Sequence, residues 1–101
     1  MKIGVMMKIS ELKPEQRGVN IVVKVTEILG IREFSESGKK RWVATAIAED
    51  DTGKIKLAVW EGDIKEIKVG DKIKITNGFV NEFQGEMQLT AGKYGKIELV
   101  N

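Results

Sequence analysis

The stretch Val19-Asn20-Ile21-Val22-Val23-Lys24-Val25-Thr26-Glu27-Ile28-Leu29 restricts the fold more than any other part of the chain. Its β-branched residues favour extended backbone, because branching at Cβ restricts rotamers in a helical turn yet packs well on a pleated surface. Apolar residues fall on both alternate sets: Val19, Ile21, Val23 and Val25 on one, Val22 and Ile28 on the other. A strand this long with two apolar faces is expected to curl and pair in two sheets.

A second stretch, Asp51-Thr52-Gly53-Lys54-Ile55-Lys56-Leu57-Ala58-Val59-Trp60, starts with a turn and then alternates strictly. Ile55, Leu57 and Val59 form a core face; Lys54, Lys56, Ala58 and Trp60 form the other. An ordinary half-buried strand puts bland polar residues on that outer face. Here it carries two cations and a large ring, the parts that hold a phosphate backbone and stack on a base.

The remaining elements follow in order. Ile9 and Leu12 suit a short turn docked on the barrel, with Ser10 as N-cap and Pro14 ending it; residues 1–17 are read as an N-terminal segment packing on a single domain over 18–101. The pair Met6-Met7 leaves open a second start of translation. Arg32–Arg41 reads as a polar connection, Trp42–Glu49 as the second strand, and Asp50-Asp51-Thr52-Gly53 as a hairpin turn. Glu61–Val69 changes period: Ile64, Ile67 and Val69 sit at helical spacing, with Gly70 as the stop. Lys72–Phe83 is the fourth strand, with a bulge or bend at Gly78. Gln84-Gly85 turns it. Glu86–Leu89 and Gly95–Val100 make the last strand, interrupted around Ala91-Gly92-Lys93. Strand, strand, strand, short helix, strand, strand, with a long curling first strand, fits an all-β, five-stranded OB-fold Greek-key barrel.

Composition excludes more than it identifies. The chain has 101 residues, enough for one domain with one core. With no Cys there are no disulfides or thiolate metal sites, and with no His the commonest general base and zinc ligand are gone. No metal or other cofactor is expected. No nucleophile–base pair or phosphate loop is visible, so an enzyme is not expected. No apolar run is long enough to span a membrane, and no signal peptide is read, so the expected location is cytoplasmic and nucleoid-associated. Seventeen Lys and Arg against fifteen Asp and Glu give a net charge of +2, so charge placement decides the partner.

That placement converges on the surface an OB-fold uses, its second and third strands and the loops between strands one and two and four and five. There the sequence puts Trp42, Lys54, Lys56, Trp60, the Lys39-Lys40-Arg41 cluster and the Phe83-Gln84-Gly85 turn. Phe79 and Phe83 share parity with Ile73 and Ile75, which reads as core. A bulge at Gly78 turns them to the other face, and polar Asn77 and Asn81 at the same parity favour that. Trp42 shares parity with Ala44, Ala46 and Ala48, small residues that make room either for the barrel interior or for a flat base. Phe34 is a stacking ring or a loop anchor. The acidic residues Glu61, Asp63, Glu66 and Asp71 read as a solvated barrel bottom, and Asp50-Asp51 as a turn rather than a metal pair.

From about Ile9 to about Val100 the chain resembles the archaeal single-OB single-stranded-DNA-binding proteins, their human-type relatives, and single OB domains of archaeal replication protein A. The resemblance rests on Leu12-Lys13-Pro14, Val19-Asn20-Ile21, Asp51–Leu57 ending in Trp60, Val69–Ile75, Phe83-Gln84-Gly85 and Leu89-Thr90-Ala91-Gly92. It implies base stacking by Trp60, Phe79 and Phe83; some relatives have a further ring where this chain has Thr90. The relatives' partner-recruiting tail is not expected, since the sequence stops at Asn101. The partners implied are single-stranded DNA, with RNA and other replication or repair proteins as alternatives using the same surface. Trp60, Phe79, Phe83, Trp42, Lys39, Lys40, Arg41, Lys54 and Lys56 are the candidate binding residues.

Overall fold

A computed structural model describes residues 6–64, 67–91 and 95–100, apart from the side chains of Phe34 and Glu36. Six strands make one sheet: β1 Arg17–Glu36, β2 Lys39–Asp50, β3 Gly53–Trp60, β4 Lys72–Phe83, β5 Glu86–Thr90 and β6 Lys96–Leu99. Their order is β1-β2-β3-β5-β4-β6, and an added β1–β4 pairing closes the barrel. All neighbours are antiparallel except β3 and β5, which run parallel. This is the OB-fold. Its fifth strand is broken in two: β5 pairs with the Phe79–Phe83 part of β4 and β6 with its Ile73–Thr76 part.

β1 curls as its sequence requires. Ile21–Lys24 pairs with β4, while Lys24–Glu36 pairs with β2. Register shifts at Val25/Glu27 and Ile28/Gly30 turn the strand from one partner to the other. Val19, Ile21, Val23 and Val25 are buried and meet Ile73, Ile75, Leu57, Val80 and Leu89 in the core. Ala44, Ala46 and Ala48 lie in that core too, so their small size serves the barrel interior.

The segment read as a connection, Arg32–Arg41, is instead strand. The ladder runs on from Arg32↔Val43 to Glu36↔Lys39, around a turn at Ser37 and Gly38, both at positive φ. Among the described residues β1 has no second strand partner beyond Lys24, where Val25 instead bonds to the Gly70 and Asp71 backbone, and β2 has none before Val43. The result is a projecting two-stranded arm. Its described side chains from Arg32 to Lys40 are exposed, and without a buried face there is no apolar alternation to read.

Residues 6–16, ahead of β1, are stitched to the barrel. Ile9 and Leu12 are each 5% exposed and belong to the core, on a short 3₁₀ turn over Ile9–Glu11. Ser10 lies inside the turn and Lys8 is its N-cap, so the N-cap reading of Ser10 is corrected. Asp50 ties this turn to the β2–β3 hairpin: its carboxylate accepts from the Ile9 amide at 2.9 Å, the Thr52 amide at 2.7 Å and the Thr52 hydroxyl at 2.6 Å. Burial pushes the Asp50 carboxyl up, but these bonds and one from the Gly53 amide outweigh it and hold the group below its ordinary value. Lys8 bonds to Asp51 at 3.0 Å, which raises the ammonium above its usual value.

Helix α1 covers Glu61–Ile64, with Ile64 packed against the core and Ile67 buried beyond it. Val69 is 58% exposed and takes no part. Glu66 and Gly92-Lys93 lie outside the described residues.

Candidate nucleic-acid interface

Strand register lays out the outer face in rows. Antiparallel and parallel partners share a face. Val43↔Trp60 begins one row; Thr45↔Ala58, Ala58↔Thr90 and Thr90↔Phe79 make the next; Ile47↔Lys56, Lys56↔Gln88 and Gln88↔Asn81 follow; Glu49↔Lys54 and Glu86↔Phe83 lie below. The face runs from Trp60 at one end to Phe83 and Lys54 at the other.

Phe79 and Phe83 reach this face because β4 reverses its parity midway. Ile73 and Ile75 point inward, and so does Val80. The switch lies at Asn77, whose φ of 54° is left-handed and whose amide is held by the Asn20 side chain at 3.1 Å. Gly78 follows because a Cβ there would stand 2.8 Å from Ile75 Cγ2 and 3.2 Å from the Thr90 carbonyl. Phe83 is 58% exposed, and Phe79 and Trp60 are half-buried.

Cations line the rings. The Arg41 guanidinium carbon lies 5.0 Å from the Trp60 ring centre, and that of Arg17 5.9 Å from the Phe79 ring centre. Lys56 donates to Glu86 at 3.1 Å. Arg41 Nε lies 3.6 Å from Glu61. Lys54 is exposed beside Glu49, and Lys39 is exposed at the arm tip. Between the arm, the sheet and the β4–β5 turn runs a groove of about 500 Å³ whose lining includes Leu29, Arg32, Thr45, Lys56, Phe83 and Gln88.

The arm divides the residues of its β2 strand between its two faces. Lys39 and Arg41 share parity with Val43 and therefore with Trp60. Lys40 and Trp42 share parity with Ala44 and lie on the opposite face, where Trp42 faces Glu33 and is 44% exposed. The Phe34 side chain lies outside the described part. Arg17, Arg32, Leu29 and Gln88 are the face residues that sequence reasoning missed. Arg32 was hidden by reading the arm as a loop, and Gln88 by a parallel pairing that no local pattern encodes. Glu61 is also corrected: it stands at the edge of the face, paired with Arg41, rather than on a separate acidic bottom.

A closed barrel of this topology, with Phe83, cations and amides lining a groove between the arm and the β4–β5 turn and with Trp60 and Phe79 on the same sheet face, defines an OB-fold module. The chain belongs to the Ssb-like family of OB-fold single-stranded DNA binding proteins, whose model matches residues 12–99. It is 37% identical over 90 residues to the single-stranded DNA binding protein Ssb of Saccharolobus solfataricus, a match covering 89% of this chain and 61% of that protein. The chain thus spans about three fifths of that relative's length. It is 32% identical over 97 residues to replication factor A of Methanothermobacter thermautotrophicus, covering 90% of this chain and 12% of that protein. An OB domain from Thermoplasma acidophilum superposes with a TM-score of 0.82 at 28% identity, over 95% of this chain and 87% of that one.

Proposed function

We propose that this chain binds single-stranded DNA with little sequence specificity and protects it in replication, recombination or repair, with no covalent step. Trp60, Phe79 and Phe83 stack on bases, while Lys39, Arg41, Lys54 and Lys56, joined by Arg17 and Arg32, contact the backbone. The observation that carries the reading is the parity reversal at Asn77, which brings both Phe rings to the face that holds Trp60 and the lysines. Stacking tolerates any base, because every base has a π-face. No helix among the described residues is long and apolar enough to cross a membrane. Single-stranded DNA as the ligand puts the protein in the cytoplasm beside the nucleoid.

The test titrates tryptophan fluorescence with oligo-dT, oligo-U and duplex DNA in one buffer. Oligo-dT binds more tightly than duplex, because stacking requires unpaired faces and the only α-helix among the described residues spans four residues. Equal affinity for duplex and single strand refutes the reading. Tighter binding of oligo-U moves the function to RNA.

A further inference from the structure

Two of the three stacking rings have a carboxylate beside them that already occupies the neighbouring cation. Glu61 follows Trp60 directly in sequence and lies 3.6 Å from Nε of Arg41, the residue whose guanidinium covers the Trp60 ring. Glu86 is the cross-strand partner of Phe83 and accepts from Lys56 at 3.1 Å. Lys56, Phe83 and Glu86 all line the groove. The third ring differs. Arg17 lies over Phe79, and the ion pairs found among the described residues give it no carboxylate.

We propose that Glu61 and Glu86 are built-in counter-ligands of the binding face, which a backbone phosphate displaces when a strand binds. The inference rests on the single-strand reading above. Both pairs are well exposed: side-chain exposure is 41% and 44% for Arg41 and Glu61, and 39% and 60% for Lys56 and Glu86. Such exposed pairs are weak and easily opened. A phosphate presents the same anionic oxygens to the guanidinium or ammonium that the carboxylate does. In the free protein each carboxylate holds a long cationic side chain beside its ring. In the complex it is left next to a phosphate of like charge, which weakens the complex. The two acids therefore place the cations while limiting how tightly the strand is held, so that a bound strand is released more readily.

The experiment compares Glu61→Gln and Glu86→Gln with Glu98→Gln. Glu98 stands on β6 near Lys96, and its loss changes net charge equally, but among the described residues β6 pairs with the Ile73–Thr76 part of β4, away from Phe79–Phe83. At low salt the first two variants bind oligo-dT about three- to tenfold more tightly than the unaltered chain, and Glu98→Gln stays within about twofold. The gain shrinks as salt rises, since exposed charges are screened. Glu61→Gln also shifts the tryptophan emission of the free protein, because Arg41, which lies over Trp60, loses its ion pair with Glu61. Affinity unchanged or weakened in both variants, or an equal gain in Glu98→Gln, overturns the inference while the single-strand reading stands. Failure of the unaltered chain to bind oligo-dT removes that reading, and this inference with it.

Discussion

The two halves of β1 carry similar apolar residues to opposite ends. Val19, Ile21, Val23 and Val25 are at most 1% exposed, whereas Ile28, Leu29 and Ile31 are 40%, 50% and 57% exposed. The difference is what pairs and covers them. The first half has β4 along one edge and the barrel interior beneath it; the second leaves the barrel as an arm, with β2 as its only strand partner among the described residues. One strand thus supplies core at one end and a wall of the groove at the other. Apolar residues in a strand say that it is a strand; tertiary context decides whether they pack or are presented to a ligand.

The largest expected effect separates these halves by stability. Ile21→Ala opens a cavity in the core and should cost about 2–5 kcal/mol of unfolding free energy. Ile31→Ala should stay within about 0.5 kcal/mol, as a surface change does. Denaturant titrations of the two variants decide it, and equal losses mean the arm is packed after all.

Binding should show the reverse pattern. Phe83→Ala touches no core, so its melting temperature stays put, while affinity for oligo-dT falls by about 1–3 kcal/mol if the ring stacks on a base. A drop in melting temperature with affinity intact would return Phe83 to a structural role.

Charge gives a smaller and graded effect. Changing Lys54 and Lys56 together to Gln should make the log–log salt slope shallower by about 1.4 units, at about 0.7 per single-strand phosphate contact. Base preference should not change, because backbone contacts position the strand without reading it. An unchanged slope puts these lysines outside the footprint.

The smallest effect concerns the hairpin far from the arm. Asp50 is held below the ordinary carboxylate value of 3.8, so it contributes stability above that pH and loses it as pH falls through its lower folded value. Thermal unfolding of the unaltered chain should fall off below about pH 4 more steeply than that of Asp50→Asn. Parallel curves would mean that the bonds to Ile9 and Thr52 do not depend on the carboxylate charge.

What could be read from the sequence follows from where interactions are local. The alternation of Ile55, Leu57 and Val59 fixed β3 and put Trp60 and the lysines outward, since period and parity are properties of adjacent residues. The curl of β1 was legible from its length and its two apolar faces. The β4 parity reversal was legible only as a choice, because Gly78 signals an irregularity but not its direction; the left-handed residue is Asn77, braced by Asn20 from another strand. The arm was not legible. Its strands are held by backbone pairing, and polar residues on both faces look like loop. Lys40 and Trp42 were grouped with Lys39 and Arg41 by adjacency, whereas a strand sends neighbours to opposite faces.

That last division gives the most direct test of where the strand lies. The chain has two tryptophans, so Trp42→Phe leaves Trp60 as the sole indole reporter and Trp60→Phe leaves Trp42. Each variant is titrated with oligo-dT while its emission is followed. If the interface is the outer sheet face, the Trp60 signal is strongly quenched on binding and the Trp42 signal changes little. Strong quenching of Trp42 with Trp60 unaffected would contradict the account and move the binding surface to the other side of the arm.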